Sequence, residues 1–116
     1  MNQTARKIVA VAVLTIFVLA FAGCPQGTTI GKIQRDPAKF YGKEVAIKGR
    51  VSSSFGALGN GVYQVDDGTG KMWVLSEGYG VPGNGADIRV VGRVVDSVTW
   101  GGRSFATALR QTERRH

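Results

Sequence analysis

Two stretches of this chain carry the same pattern: Val45-x-Ile47-x-Gly49-Arg50-Val51 and Ile88-x-Val90-x-Gly92-Arg93-Val94. Alternation of branched apolar residues with polar ones is the period of a half-buried β-strand, because successive side chains point to opposite faces. In each copy a glycine takes an inward slot where a large side chain would otherwise point. Such a glycine lets a strand bend sharply or another backbone come close. Long strands that coil around a small barrel need bends of this kind. The copies are too short and too far apart for a repeat architecture, so they read as two strands meeting one geometric demand. Gly49 and Gly92 are therefore the expected strand bends.

The rest of the chain fits this frame. IGKIQ, from Ile30, has the look of a short strand. Asp36-Pro37 suits a helix start, with Asp36 as N-cap, Pro37 at the first position and Gly42 ending a single turn. Glu44–Ser53 is a strand, 54–61 a glycine-rich loop and Val62–Val65 a strand. Asp66 to Gly70 forms a tight turn in which Asp67, Gly68 and Gly70 supply the Asp-Gly chemistry of a hairpin, and Lys71–Ser76 returns. Glu77–Gly85 is loop, Asp87–Val98 a long strand, Trp100-Gly101-Gly102 a turn and Ser104–Leu109 the last strand. Glycine is 17 of 116 residues, about twice its usual share, which favours turns and bends over long helices.

Ahead of these elements stands a different kind of segment. Arg6 and Lys7 precede an apolar run from Ile8 to Ala22, and small residues lead into Cys24. That is the order of a secretory signal peptide, and the run is short for a span that needs about 20 residues. Phe21-Ala22-Gly23-Cys24 resembles a bacterial lipobox, with Phe21 where leucine is common. The resemblance implies cleavage after Gly23 and acylation of Cys24, hence an exported protein anchored by lipid to a bacterial cell membrane on its periplasmic or surface side. Two acyl chains suffice for stable anchoring. The organisation expected is a signal-peptide helix over 1–23, a tether over 24–29, a folded domain over 30–112 and a basic tail over 113–116. With Cys24 the sole cysteine, no disulfide forms within the chain.

The order GKEVAIKGRV, loop, VYQVDDGTGKMWV, loop, DIRVVGRVV, hairpin, SFATAL resembles bacterial OB-fold domains of the anticodon-binding-like, exported type. The fold expected is all-β: a small five-stranded Greek-key barrel with a short N-terminal helical turn. The segment 77–85 is too short and glycine-rich for the helix that commonly sits between strands three and four. OB folds bind nucleic-acid strands or sugars across strands two and three, with the loops joining strands 1–2 and 4–5 as walls. The matching positions are Trp73 and Lys71 on the face, Phe55 in one wall, and Trp100 and Arg103 in the other. Aromatic rings stack on bases for about 1–3 kcal/mol each, and cations attract phosphates.

Catalysis has no visible apparatus. The single histidine is the last residue, His116, and nucleophilic triads need one held in a fixed site. No catalytic residue and no enzymatic activity are expected. Metal sites lack ligands, so no metal and no cofactor are expected. A haem chaperone, which shares a small OB barrel, would need a histidine motif that is absent. Asp66 and Asp67 read as turn formers ahead of an acid–base pair. Two of the 15 basic residues fall in the signal, leaving 13 against 8 acidic ones. This balance favours an anionic partner. The function expected is a lipid-anchored binding module for a nucleic-acid strand or oligosaccharide. The alternative is a structural or protein–protein interaction module of the cell envelope.

Overall fold

The computed structural model describes residues 26–115. The signal segment, Cys24 and His116 lie outside the described residues. Five strands dominate: β1 (Glu44–Ala57), β2 (Asn60–Asp66), β3 (Lys71–Glu77), β4 (Asp87–Trp100) and β5 (Arg103–Gln111). They form a closed ring in the order β1-β2-β3-β5-β4, which shuts through a β4–β1 pairing. All neighbours are antiparallel except β3 and β5, which are parallel. The protein is predominantly β. Among the described residues no helix is long and apolar enough to cross a membrane.

The two echoed segments sit where the long strands change partners. β1 pairs with β4 through Glu44–Arg50 and with β2 through Arg50–Ala57. β4 pairs with β1 through Asp87–Arg93 and with β5 through Gly92–Trp100. At each switch two backbones converge on the glycine. A Cβ on Gly49 would stand 2.5 Å from the Asp66 carbonyl oxygen, and one on Gly92 would stand 2.6 Å from that of Arg110. Just beyond Gly49 the β1–β2 register shifts between Val51 and Ser53, as a β-bulge does.

The ring interior holds the main core, with Val45, Ile47, Tyr63, Val65, Met72 and Val74 fully or almost fully buried. One element packed against it departs from the sequence expectation. IGKIQ is not a strand: Ile30–Arg35 is a helix, α1. Its start is capped by Thr29, whose hydroxyl accepts from the Lys32 N–H at 3.3 Å. Ile30 and Ile33, three apart and thus on one helical face, are both fully buried in the core. A strand would put these two isoleucines on opposite faces, whereas a helix buries both on one.

Other boundaries also move. The loop expected over 54–61 is mostly strand, because β1 and β2 pair up to Ala57 and Asn60 and leave a two-residue turn, Leu58-Gly59. The last hairpin is likewise tighter and turns on Gly101-Gly102. Pro37–Lys39 is a 3-10 turn in which Asp36 makes no side-chain cap. Its carboxylate instead pairs with Lys39 at 3.5 Å. The tether is not free along its length, since Gln26–Gly27 pairs in parallel with Val45–Ala46. Nor does the basic tail trail wholly in solvent. Arg115 donates to the Gly80 carbonyl at 3.1 Å and lies over the Tyr63 ring at 5.6 Å.

Candidate functional site

Alternation along β2 and β3 sends Tyr63, Val65, Met72 and Val74 inward and leaves Val62, Gln64, Trp73 and Leu75 on the outer face. That face is not open. The distal part of the β4–β5 hairpin packs onto it, and Val62, Leu75, Val98, Phe105 and Ala108 form a second apolar cluster. Trp73, Val95 and Trp100 lie half-buried against it. Trp73 is therefore outward in direction yet covered along part of its ring.

The covering group is Phe105, a residue that sequence reasoning missed. Its ring centroid lies 4.6 Å from that of Trp73, tilted by 41°. On the other side Phe55 stacks with Trp73 at 6.1 Å and 25°. Beyond Phe105 the Arg103 guanidinium stands 5.7 Å from the ring centroid. The result is a row, Phe55–Trp73–Phe105–Arg103, running from the β1–β2 hairpin to the β4–β5 hairpin. Aromatic pairs at these separations prefer offset or tilted geometry, and a cation over a ring is attracted by its quadrupole. Phe55 is the open end of the row, 50% exposed.

The structure brings four of the five sequence-assigned residues to this region. Phe55, Trp73 and Arg103 are in the row, and Trp100 is opposite Arg103 at the hairpin end. Lys71 shares the outer face of β3 two positions from Trp73 and is opposite Asp66 in register. Asp66 is in turn opposite Arg50, and Arg50 pairs with Asp87. Lys71 thus belongs to a cross-strand line of alternating charge, not to the end of the aromatic row.

The turn residues do more than close a hairpin. Asp67 Oδ1 accepts from the N–H groups of Thr69 and Gly70 and from the Thr69 hydroxyl, at 2.9, 3.2 and 2.6 Å. Its Oδ2 reaches across the molecule to accept from the Ile30 N–H at 2.8 Å, and the Thr69 hydroxyl oxygen accepts from Gly31 N–H at 2.9 Å. The turn therefore clamps the first residues of α1. Burial alone would push the Asp67 carboxyl up. The hydrogen bonds from Thr69, Ile30 and Gly70 outweigh it and hold the group below the ordinary carboxylate value.

At another point of the core the Tyr63 hydroxyl donates to Gln111 Oε1 at 2.7 Å. Burial pushes this phenol up to about 12 despite the nearby Arg115 charge. It stays neutral at physiological pH, as a structural hydrogen-bond donor does. Among the described residues no group of three or more His, Cys, Asp or Glu is placed to hold a metal ion.

The row as a whole combines a half-exposed aromatic end at Phe55 with one cation, Arg103, at the other. No protein-family model matches the chain, and no curated protein is significantly similar to it.

Proposed function

We propose that this chain is a lipid-anchored, extracytoplasmic OB-fold binding module without catalytic activity, and that its ligand is an oligomer with planar or ring units and negative charge. The ring order β1-β2-β3-β5-β4, with long first and fourth strands, supports the OB-fold reading. The observation that carries the function is the aromatic row on the outer β2–β3 face, flanked by the two hairpins that serve as ligand walls in that fold. A base or sugar stacking on Phe55 would extend the row by one ring, and Arg103 would face an anionic group at its other end.

The test is tryptophan fluorescence of the protein titrated with single-stranded oligonucleotides and acidic oligosaccharides. Binding should quench or shift emission and weaken as salt rises, because neutralised anionic groups release counterions. Phe55→Ala and Arg103→Ala should each weaken it. Binding that is unchanged in both variants would overturn the reading.

A second reading, a protein-interaction module of the envelope, is favoured by one observation. Leu58 at the tip of the β1–β2 hairpin is 99% exposed and holds a left-handed backbone with φ of 55°. A leucine so placed stabilises nothing in this chain by burial. Crosslinking from this position to one discrete envelope protein, with no oligomer binding at Phe55, would select this reading over the first.

A further inference from the structure

The outer face between β1 and β4 can be followed rung by rung. Glu44 is opposite Arg93, Ala46 is opposite Val91, and Arg50 is opposite Asp87, with which it forms an ion pair at 3.2 Å. The remaining outward rung is Lys48 opposite Arg89. Side chains directly opposed on an antiparallel pair have Cβ atoms about 4.5–5.5 Å apart, and like charges there are destabilising. Two rungs set opposite charges against each other, one is apolar and one is repulsive. Among the described residues, neither Lys48 nor Arg89 has an acidic partner. Arg89 is only half-exposed, so water screens the pair incompletely.

Both cations line a cleft of about 410 Å³ beside the start of α1, together with Lys32, Thr28 and Thr29. Asp67 borders the cleft too, but its two oxygens already accept four hydrogen bonds from Ile30, Thr69 and Gly70. It is committed to the α1 clamp and has little capacity left for Lys48 or Arg89. Within this cleft three cations stand against one engaged carboxylate, and on the adjoining side Lys48 and Arg89 border Asp66 and Asp87, which face Arg50. A phosphate group meets such an excess with negative charge spread over several acceptor oxygens, which suits one guanidinium fork and two ammonium groups at once.

We propose that this cleft is a binding site for a phosphate group. Arg89 supplies a planar fork of donors, and Lys48 and Lys32 supply compact charges. Thr29 accepts from the Lys32 N–H, which leaves its own hydroxyl proton to donate. The site is separate from the aromatic row and does not depend on the reading of that row. The repulsive rung is the cost of keeping the cations poised, and a bound phosphate removes it.

Two sources share this chemistry: the headgroup of an anionic phospholipid and a soluble phosphate ester. Gly27, three positions after Cys24, lines the cleft. An anchor at Cys24 would bring the headgroup layer close.

The test uses the full chain in a neutral detergent, with thermal melts in inorganic phosphate or in chloride at equal ionic strength. Phosphate should raise Tm of the wild type in a saturable way. Lys48→Gln should melt higher than wild type in chloride, because the repulsion is gone. It should also bind phosphate about tenfold more weakly, as loss of one charge-assisted contact implies. Arg89→Gln should repeat both effects. Lys43→Gln, which lowers net charge equally on an exposed lysine outside the cleft, should leave the phosphate response intact. The proposal is overturned if phosphate does nothing beyond chloride, if both cleft variants respond like wild type, or if Lys43→Gln loses as much as they do. Reconstitution into nanodiscs separates the sources. A phosphate response suppressed by phosphatidylglycerol but not by phosphatidylcholine assigns the cleft to the lipid headgroup. One that persists in both assigns it to a soluble ester.

Discussion

Replacing Asp67 with asparagine changes one atom and should uncouple two parts of the molecule. In the wild type both carboxylate oxygens accept, Oδ1 within its own turn and Oδ2 from Ile30 at the start of α1. Asparagine has one acceptor and one donor. If its oxygen stays with Thr69 and Gly70, its NH2 faces the Ile30 N–H, donor against donor. If it flips, the NH2 faces the donors of the turn instead. Ile30 is fully buried, and a buried polar group left without a partner costs about 1–3 kcal/mol. The two Oδ1 bonds from Thr69 are exposed and only that from Gly70 is part-buried, so water replaces most of them at little further cost. The expected destabilisation at pH 7 is therefore about 1–3 kcal/mol, which lowers Tm by about 4 °C or more in a domain of this size. The pH dependence gives a second readout. A carboxyl held below its unfolded value stabilises the fold fully above that value, about 3.9. The contribution is lost as pH falls through the lower folded value. The gap between wild type and Asp67→Asn should narrow in acid. Urea melts at pH 7 and pH 2.5 measure both quantities. A variant within about 0.5 kcal/mol of wild type at pH 7, or a gap that does not change with pH, would refute the clamp.

Three further outcomes follow from geometry already described. Alanine at Gly49 or Gly92 should destabilise by about 1–3 kcal/mol in thermal melts, because the added methyl meets a carbonyl oxygen that cannot give way; an unchanged Tm in both would contradict the close approach. Leu58→Asn should stabilise by roughly 1 kcal/mol, since a left-handed backbone costs an ordinary side chain about that much and no burial is lost at a fully exposed tip; a lower Tm would show that the leucine has a packing role within the fold. Cys24→Ser should abolish acylation and release or stall the protein, as intact mass and membrane fractionation would reveal; an unacylated, uncleaved native N-terminus would refute the anchor.

The sequence was most legible where one periodicity ruled. The alternation through Val45–Val51 and Ile88–Val94 marked both long strands, and the glycines within them fell where the strands change partners. Legibility failed where tertiary contacts decided. Ile30 and Ile33 fall on opposite faces of a strand but on one face of a helix, and only the core they share makes helix the way to bury both. The 54–61 stretch reads as loop because its glycines carry no pattern, yet β1–β2 pairing holds all but Leu58-Gly59 extended. Trp73 was assigned an outward direction from alternation, but no local signal said that a hairpin some thirty residues on would fold across it. Phe105 sits in a short strand whose register depends on where the Gly101-Gly102 turn falls, and so its partnership with Trp73 was out of reach. The Lys48–Arg89 rung was likewise invisible, because it exists only once the β1–β4 register is known.

The shared strands also bear on how the chain finds its structure. The β1–β2, β2–β3 and β4–β5 pairs join neighbours through short turns and close locally. The β1–β4 seam is different: its nearest rung, Arg50 with Asp87, spans 37 positions. Loop-closure entropy is lost before such contacts repay it, which makes non-local pairing slow. The preformed hairpins would then wait on two non-local seams, the short parallel β3–β5 pairing of Val74 with Leu109 and Leu75 with Arg110 and the longer β1–β4 one. The like-charged rung lies within the β1–β4 seam and would work against its closing. In a mutational study of folding rates, Lys48→Gln should speed folding if the seam forms in the transition state, and slow unfolding alone if it forms afterwards.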